Sequence, residues 1–105
     1  MCYMNPLKYH PDALSELHAA PHYYQENELI EVGANLVAEL KAALSDIAEH
    51  PQRWKRVLEN VHSYGPTRKF KWRIVYVNLP DEVLVIAAYY GGAEDPLYWL
   101  ERLAD

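Results

Sequence analysis

Residues 68–90 read RKFKWRIVYVNLPDEVLVIAAYY, and this stretch decides the fold class. In its first half Phe70, Trp72, Ile74 and Tyr76 alternate with lysine, arginine or valine. A period of two is typical of a β-strand with two unlike faces, here one aromatic and one that begins basic. LPDE at 79–82 predicts a turn. The apolar run at 83–90 then predicts a strand in the middle of a sheet that helices cover on one side.

A first helix is predicted upstream of this hairpin, in the stretch HPDALSEL at 10–17. Pro11 suits the first helical position, and Asp12 lies near the positive end of the helix dipole. The apolar side of this helix is predicted to comprise Leu14, Leu17 and Tyr24. Pro21 predicts a kink, or a break near Ala20, because a proline inside a helix removes one backbone hydrogen bond.

A second helix is predicted from about Leu29 to Glu49, where a histidine and a proline stop it. Its apolar residues recur every three or four positions, which predicts a buried stripe: Ile30, Gly33, Leu36, Val37, Leu40, Ala43, Leu44 and Ile47. The charged residues predicted to point outward are Glu31, Glu39, Lys41 and Asp46. The two helices should form an antiparallel hairpin with one shared apolar side.

The predicted order is a short strand around Leu7–Tyr9, two helices, three or so strands, and a short closing helix with Asp95 as its cap and Pro96 as its first residue. Helices on one face of a mainly antiparallel sheet of about four strands define an α+β fold. The chain has 105 residues, half of them hydrophobic. We therefore expect a single domain over residues 1–105.

The net charge is −5, but the cations are concentrated in one segment. Between Arg53 and Arg73 lie seven lysines and arginines and one acid, Glu59, a net of +6; the remainder has three cations and fourteen acids, a net of −11. This asymmetry predicts one basic face that attracts a polyanion or an acidic partner protein. A solvated surface strand is the plainer alternative.

Cysteine and histidine usage argues against a metal site or a cofactor, and we predict neither. Cys2 is the only cysteine, which excludes a disulfide framework and suits a reducing compartment. His18 and His22 are four residues apart, but Pro21 disturbs that turn and no third ligand is evident. No apolar run approaches the ~18 residues of a membrane-spanning helix. We expect a cytoplasmic protein without membrane contact.

Four stretches occur in an order and spacing similar to those of a known family: HPDALSEL at 10–17, GANLVAEL at 33–40, RKFKWRIVY at 68–76 and VIAAYYGGAEDPLYWLERL at 85–103. Over about residues 7–103 the chain resembles the bacterial RelE/ParE toxin superfamily of type II toxin–antitoxin modules, and within it the ParE-like or plasmid stabilization branch. The resemblance implies a small toxin that arrests growth and that a cognate antitoxin neutralises by wrapping around it.

The resemblance implies two alternative targets, because RelE-like members cut messenger RNA on the ribosome whereas ParE-like members inhibit DNA gyrase. RNA cleavage needs a base, an acid and cations around the phosphate. Where many members of the family carry a histidine after the last strand and an arginine before Asp-Pro, this chain has Tyr90 or Gly91 and Ala93-Glu94. We therefore favour gyrase inhibition and assign no catalytic residue. A ribosome-dependent endonuclease and a catalytically inactive interaction module remain open.

The predicted target-binding surface, for nucleic acid or for gyrase, consists of Arg68, Lys69, Lys71, Arg73 and Arg56. Three of these, Lys69, Lys71 and Arg73, are predicted to share one face of a strand. The predicted groove residues are Tyr89, Tyr90 and Tyr98. Tyr98 and Trp99 could stack on a base, but packing against the sheet is the favoured interpretation. An exposed sheet edge could also pair two copies into a homodimer.

Overall fold

The computed structural model describes residues 5–27, 30–90 and 98–104, which form one sheet, two α-helices and a closing 3-10 helix. In chain order these elements are β1 (Leu7–Tyr9), α1 (Pro11–Asn27), α2 (Ile30–Glu49), β2 (Lys55–Leu58), β3 (Val61–Tyr64), β4 (Trp72–Asn78), β5 (Val83–Tyr90) and η1 (Tyr98–Ala104). The predicted α+β order is confirmed. Asp95 and Pro96, the predicted cap and first residue of the closing helix, lie outside the described residues.

The sheet has five strands in the order β1-β5-β4-β3-β2, rather than about four. The additional strand arises because residues 55–64 fold into the hairpin β2–β3. β1 runs parallel to β5, and the other neighbouring strands are antiparallel. The predicted turn at 79–82 is present, since the Leu79 N–H donates to the Glu82 carbonyl oxygen at 3.0 Å. The sheet is therefore mainly antiparallel, as predicted.

The two faces of the sheet carry separate cores. On the face that α1 and α2 cover, Ile74 and Tyr76 pack with the helix residues. On the other face, called the open face here, Trp99 of η1 is buried against a second cluster, which contains Val61, Val75, Val77, Ile86 and Ala87. Ile86 and Ala87 are consecutive yet belong to the same cluster, because the β4–β5 pairing shifts register opposite Val75 and Tyr76.

The helices confirm most of the predicted apolar pattern. Most of the predicted stripe on α2 is buried, namely Gly33, Leu36, Leu40, Ala43 and Ile47, and Val37 and Leu44 are half-buried. Among the described side chains of α1, Ala13 and Ala20 are buried and Leu17 is half-buried. Leu14 is 39% exposed, but it lies beside Leu17 in the groove between α1 and α2, on the predicted side of the helix. The side chains of Tyr24, Ile30 and Glu31 lie outside the described residues.

Of the two alternatives predicted for Pro21, the break near Ala20 is wrong, because α1 continues through Pro21 to Asn27, and the kink stays a prediction. A proline removes only one hydrogen bond of the helix ladder. Ala13 and Ala20 are both buried in the core that α1 shares with the sheet, so packing holds the helix up to the residue before Pro21. The one hydrogen bond that Pro21 removes is not enough to end α1 there.

Candidate functional site at the basic end of the sheet

The two groups of predicted site residues come together at one end of the sheet, where β4 begins and β5 ends. In the pairing of these strands Trp72 lies opposite Tyr90, and Arg73 lies opposite Tyr89. The basic residues that precede β4 therefore lie beside the tyrosines that end β5. Strand pairing brings two segments together that are 16 residues apart in the sequence.

β4 begins at Trp72, so the predicted strand over Arg68–Lys71 is wrong, and Lys69, Lys71 and Arg73 do not share a strand face. Residues 65–71 form a loop instead, called the basic loop here. Its closure depends on buried Thr67, whose N–H donates to the Trp72 carbonyl oxygen at 2.8 Å and whose hydroxyl accepts from the Trp72 N–H at 2.9 Å. These bonds replace the ladder bonds that a continuing strand would make.

Two residues of the basic loop have left-handed backbone conformations. Gly65 has φ 119°, and a Cβ atom built there would lie 2.6 Å from the Trp72 carbonyl oxygen, so the site requires glycine. Lys71 has φ 62°, which costs a residue with a side chain roughly 1–2 kcal/mol. Backbone strain of this kind is concentrated at functional sites, which makes Lys71 a candidate functional residue.

Glu39 of α2 anchors the tip of the basic loop, although it was predicted to point outward. Its two carboxylate oxygens accept the backbone N–H groups of Lys69 at 2.9 Å and Phe70 at 2.8 Å. Burial alone would raise the pKa of Glu39. Hydrogen bonds from the Thr67 hydroxyl and from these two N–H groups, with the nearby Lys69 ammonium, outweigh burial and lower the pKa of Glu39. Asp46, also predicted outward, accepts from the Tyr64 hydroxyl at 3.3 Å.

Arg73, Tyr89 and Tyr98 form a second part of the site on the open face. Arg73 is half-buried, and its Nη1 donates to the Gly65 carbonyl oxygen at 3.4 Å. The Tyr89 and Tyr98 rings meet edge to face with their centres 5.5 Å apart. Burial raises the pKa of Tyr89, and the Arg73 guanidinium offsets part of that rise. The Arg73 guanidinium therefore lies near the Tyr89 phenol, whose ring packs on Tyr98.

Tyr98 is held in place by Glu16 of α1, a residue that the sequence did not single out. The Tyr98 hydroxyl donates to Glu16 Oε2 at 2.8 Å, and both Glu16 oxygens accept from Arg102 of η1 at 3.0 Å. Glu16 Oε1 also accepts the Ala88 N–H at 3.0 Å, beyond the last β1 partner of β5 at Val85. Burial, with the hydrogen bond and charge of Glu16, raises the pKa of Tyr98.

The remaining predicted site residues occupy other positions. Arg56 lies on β2, two strands from β4, opposite buried His62, whose ring stacks on Tyr76 on the helix-covered face. Tyr90 is exposed at the end of β5. Arg56 therefore does not join Arg73 on the open face, and its placement in the target-binding surface remains a prediction.

The chemistry of the described cluster suits binding better than proton transfer. Tyr89 and Tyr98 are protonated at neutral pH, as ordinary tyrosines are, and burial raises their pKa values further, so neither phenol supplies a base. The Arg73 guanidinium remains charged and supplies no base. The carboxylates that contact the cluster, Glu16 and Glu39, already accept several hydrogen bonds. The exposed cations Arg68, Lys69 and Lys71 remain as the groups that can meet an anionic surface.

Two further features concern the described residues as a whole. Among the side chains that the structure describes, which do not include that of His22, no group of three or more histidines, cysteines, aspartates or glutamates is arranged to hold a metal ion. Over the same part of the chain, neither α1 nor α2 is both long and apolar enough to cross a membrane.

The fold is similar to that of solved toxins. A mutant of the Escherichia coli toxin RelE in the free state, with two arginines changed to alanine, has a TM-score of 0.63 and 20% identity, and the match covers 88% of each chain. A chain of the toxin–antitoxin complex RelBE2 from Mycobacterium tuberculosis has a TM-score of 0.54 and 17% identity, with 84% of this chain and 99% of that chain covered. At these identities the likeness concerns the fold alone.

The family follows from the sequence comparison. The model of the ParE toxin of the type II toxin–antitoxin system, parDE, matches residues 7–95. The chain therefore belongs to this toxin family, within the RelE/ParE superfamily, and the predicted kinship is confirmed. None of the curated proteins is similar enough in sequence to count as a match.

Proposed function

We propose that this chain is a cytoplasmic ParE-like toxin that arrests bacterial growth by inhibiting DNA gyrase, and that a cognate antitoxin neutralises it. Membership of the ParE toxin family supports a toxin paired with an antitoxin. We favour gyrase as the target because the cluster at the basic end of the sheet has exposed cations for binding but no free base for RNA cleavage. The pKa values of its phenols are raised, and the neighbouring carboxylates of Glu16 and Glu39 already accept hydrogen bonds.

Charge reversal tests whether this surface binds the target. Lys71→Glu combined with Arg73→Glu should abolish growth arrest after induction, because two cations of the target surface become acids. The matched control is Lys8→Glu combined with Lys41→Glu, which makes the same change of charge at two exposed lysines elsewhere. Circular dichroism should show that both double variants are folded. Unchanged toxicity of the first variant would reject this end of the sheet as the target site.

Purified protein identifies the target. We expect the protein to inhibit supercoiling by DNA gyrase in vitro, and its induction in cells to trigger the DNA damage response. Intact supercoiling at protein concentrations well above that of gyrase would exclude gyrase as the target. Normal growth after induction without the antitoxin would instead favour a catalytically inactive interaction module.

Arg73 beside Tyr89 supports ribosome-dependent cleavage of messenger RNA as the second candidate. A fixed cation next to a phenol could stabilise charge on a phosphate, although the pKa of the Tyr89 phenol is raised. Mapping of messenger RNA ends after induction distinguishes the two candidates. Cleavage at the ribosomal A site would support the endonuclease, and intact messages with DNA damage would support gyrase inhibition.

A further inference from the structure

The closure of the basic loop leaves two adjacent backbone donors at its tip. Within the loop, the Thr67 N–H pairs with Trp72, the Trp72 N–H pairs with the Thr67 hydroxyl, and the Lys71 N–H donates to the Thr67 carbonyl oxygen at 3.2 Å. The N–H groups of Lys69 and Phe70 have their hydrogen bonds to Glu39, on a different element. The conformation of the tip therefore depends on a side chain outside the loop.

Glu39 is suited to this role by its position on α2. It lies one residue before Leu40, which is buried in the core, so the helix backbone at this point is fixed by packing. Its carboxylate is half-buried at the end of the sheet where β4 begins, and each of its oxygens accepts one N–H group, that of Lys69 or that of Phe70. Hydrogen bonds to an ionised acceptor are the stronger kind, and two of them from adjacent residues fix the orientation of the peptide as well as its position.

With its tip bound to Glu39, the basic loop has one side chain packed against the core and its cations exposed to solvent. The Phe70 ring packs against the core beneath the helices, and the Lys69 ammonium lies 5.6 Å from the centre of that ring. Arg68 and Lys71, on either side of the anchored pair, remain exposed. A peptide rotated at Lys69 or Phe70 would redirect both exposed cations. The arrangement of charges that a target meets is therefore set by Glu39.

We propose that Glu39 is a positioning residue of the target-binding surface, which holds the basic loop in the one conformation that presents Arg68 and Lys71 beside Arg73. This inference rests on the proposed function, since it assigns a purpose to a conformation of the same surface. Glu39 contacts loop backbone, and its carboxylate lies outside both buried clusters. Its loss should therefore change the loop without dismantling the core.

The test compares Glu39→Ala, Glu39→Gln and the control Asp46→Asn in the full chain. Asp46 lies on the same helix and is a half-buried carboxylate too, but its hydrogen bond goes to the Tyr64 side chain and not to the loop. Amide hydrogen exchange measured by NMR reports the N–H groups of Lys69 and Phe70 directly. Inhibition of gyrase supercoiling and growth arrest after induction report the function.

In Glu39→Ala we expect the two amides to exchange roughly tenfold faster or more, because both lose their acceptor. Gyrase inhibition should weaken by about tenfold, since the cations are then presented in many orientations. Glu39→Gln should be intermediate, because its single carbonyl oxygen can still accept one N–H. Asp46→Asn should leave both the exchange of the two amides and the inhibition unchanged.

Three results would overturn the inference. Unchanged exchange in Glu39→Ala would show that the carboxylate does not hold the loop. Faster exchange with full gyrase inhibition and full growth arrest would show that the loop conformation does not matter to the target. Equal loss of inhibition in Asp46→Asn would point to a general effect on α2. If Glu39→Ala fails to fold, Glu39→Gln answers the same questions.

Failure of the proposed function has a different signature. In that case the wild-type chain itself leaves gyrase supercoiling and growth unaffected, whatever residue occupies position 39. The role in target binding then falls together with the proposed function. The exchange rates of Lys69 and Phe70 still decide whether Glu39 holds the loop.

Discussion

Two glutamates, one on each helix, accept backbone N–H groups from the sheet side of the molecule, and they have opposite effects on charge. Glu39 of α2 binds the N–H groups of Lys69 and Phe70 and leaves the neighbouring cations exposed. Glu16 of α1 binds the Ala88 N–H, but it also pairs with Arg102 through both oxygens. Glu39 therefore leaves positive charge available to a partner, whereas Glu16 neutralises the charge of Arg102.

The difference lies in what surrounds each carboxylate. The Arg102 side chain is 13% exposed and also donates to the Ile86 carbonyl oxygen at 2.7 Å, so Glu16 has to compensate a charge that is largely removed from water. Glu39 faces a loop whose lysine and arginine head groups reach solvent. The same residue type thus stabilises a closing helix in one place and shapes a candidate binding surface in the other. Substitutions at the two sites should separate stability from function.

The largest effect is expected at Glu16. Glu16→Gln removes the charge opposite Arg102, and it leaves one acceptor oxygen for the groups that two oxygens bind now. We expect the free energy of unfolding to fall by about 2–3 kcal/mol, less than for a fully buried pair because Glu16 is 25% exposed. Urea denaturation at pH 7 measures the change. A loss below about 0.5 kcal/mol, typical of a surface ion pair, would remove the contrast with Glu39.

Gly65→Ala is expected to have the next largest effect and shows how much of the basic loop depends on backbone geometry. The new Cβ would lie 2.6 Å from the Trp72 carbonyl oxygen, at a φ of 119° that alanine rarely adopts. We expect a loss of about 2 kcal/mol in the free energy of unfolding. Thermal unfolding is a suitable measurement. A melting temperature equal to that of the wild type would mean that the loop can rearrange freely, and that Glu39 does not hold it in one conformation.

Glu39→Gln should lower the free energy of unfolding by less, about 1 kcal/mol at pH 7, because the hydrogen bonds of Glu39 lie near solvent. The cost should also depend on pH. A lowered pKa in the folded state gives stability that is fully present above the unfolded-state pKa of roughly 4.3 and is lost as the pH falls through the folded-state value. The difference in unfolding free energy between wild type and variant should therefore shrink between pH 7 and pH 3. A constant difference over this range would show that the Glu39 charge does not contribute.

The sequence predicted correctly those strands and helices that are defined by the spacing of apolar residues close together in the chain. The apolar run at 83–90 matches β5 residue for residue, and the three-to-four spacing on the second helix identifies its buried side. The alternation from Arg68 was misleading, because lysines and aromatics also alternate in a loop that Thr67 closes. A side chain that bonds the backbone of Trp72 competes with strand pairing, and periodicity does not report that competition.

The candidate site was only partly predictable, because the two glutamates that hold it in place are far in the sequence from the residues they bind. Arg68, Lys69, Lys71 and Arg73 could be identified from charge alone. Glu39 lies 30 residues before Lys69, and Glu16 lies 86 residues before Arg102. Arg102 in an apolar closing helix was a usable signal, because a half-buried arginine requires an acceptor. The identity of that acceptor depends on how α1 packs beside β5.

The smallest effect on stability is expected at Lys71, where a glycine removes both the left-handed strain and the exposed cation. Lys71→Gly removes roughly 1–2 kcal/mol of left-handed strain but adds about 0.5–1 kcal/mol of backbone entropy to the unfolded state. The net gain in the free energy of unfolding should be about 0.5 kcal/mol, measurable by urea denaturation. Growth arrest should weaken at the same time, because an exposed cation is lost.

Glu59→Gly is the matched control for Lys71→Gly, since Glu59 has φ 39° in the turn between β2 and β3. Its stability should rise by a similar amount while growth arrest stays unchanged, because Glu59 lies at the other end of the β3–β4 pairing. If Lys71→Gly arrests growth as strongly as the wild type, the strained lysine is a feature of the loop backbone alone. If both glycine variants weaken growth arrest equally, flexibility and not the Lys71 charge is responsible. Only the pair of results therefore assigns the Lys71 side chain, and not the backbone flexibility of the glycine variant, to target binding.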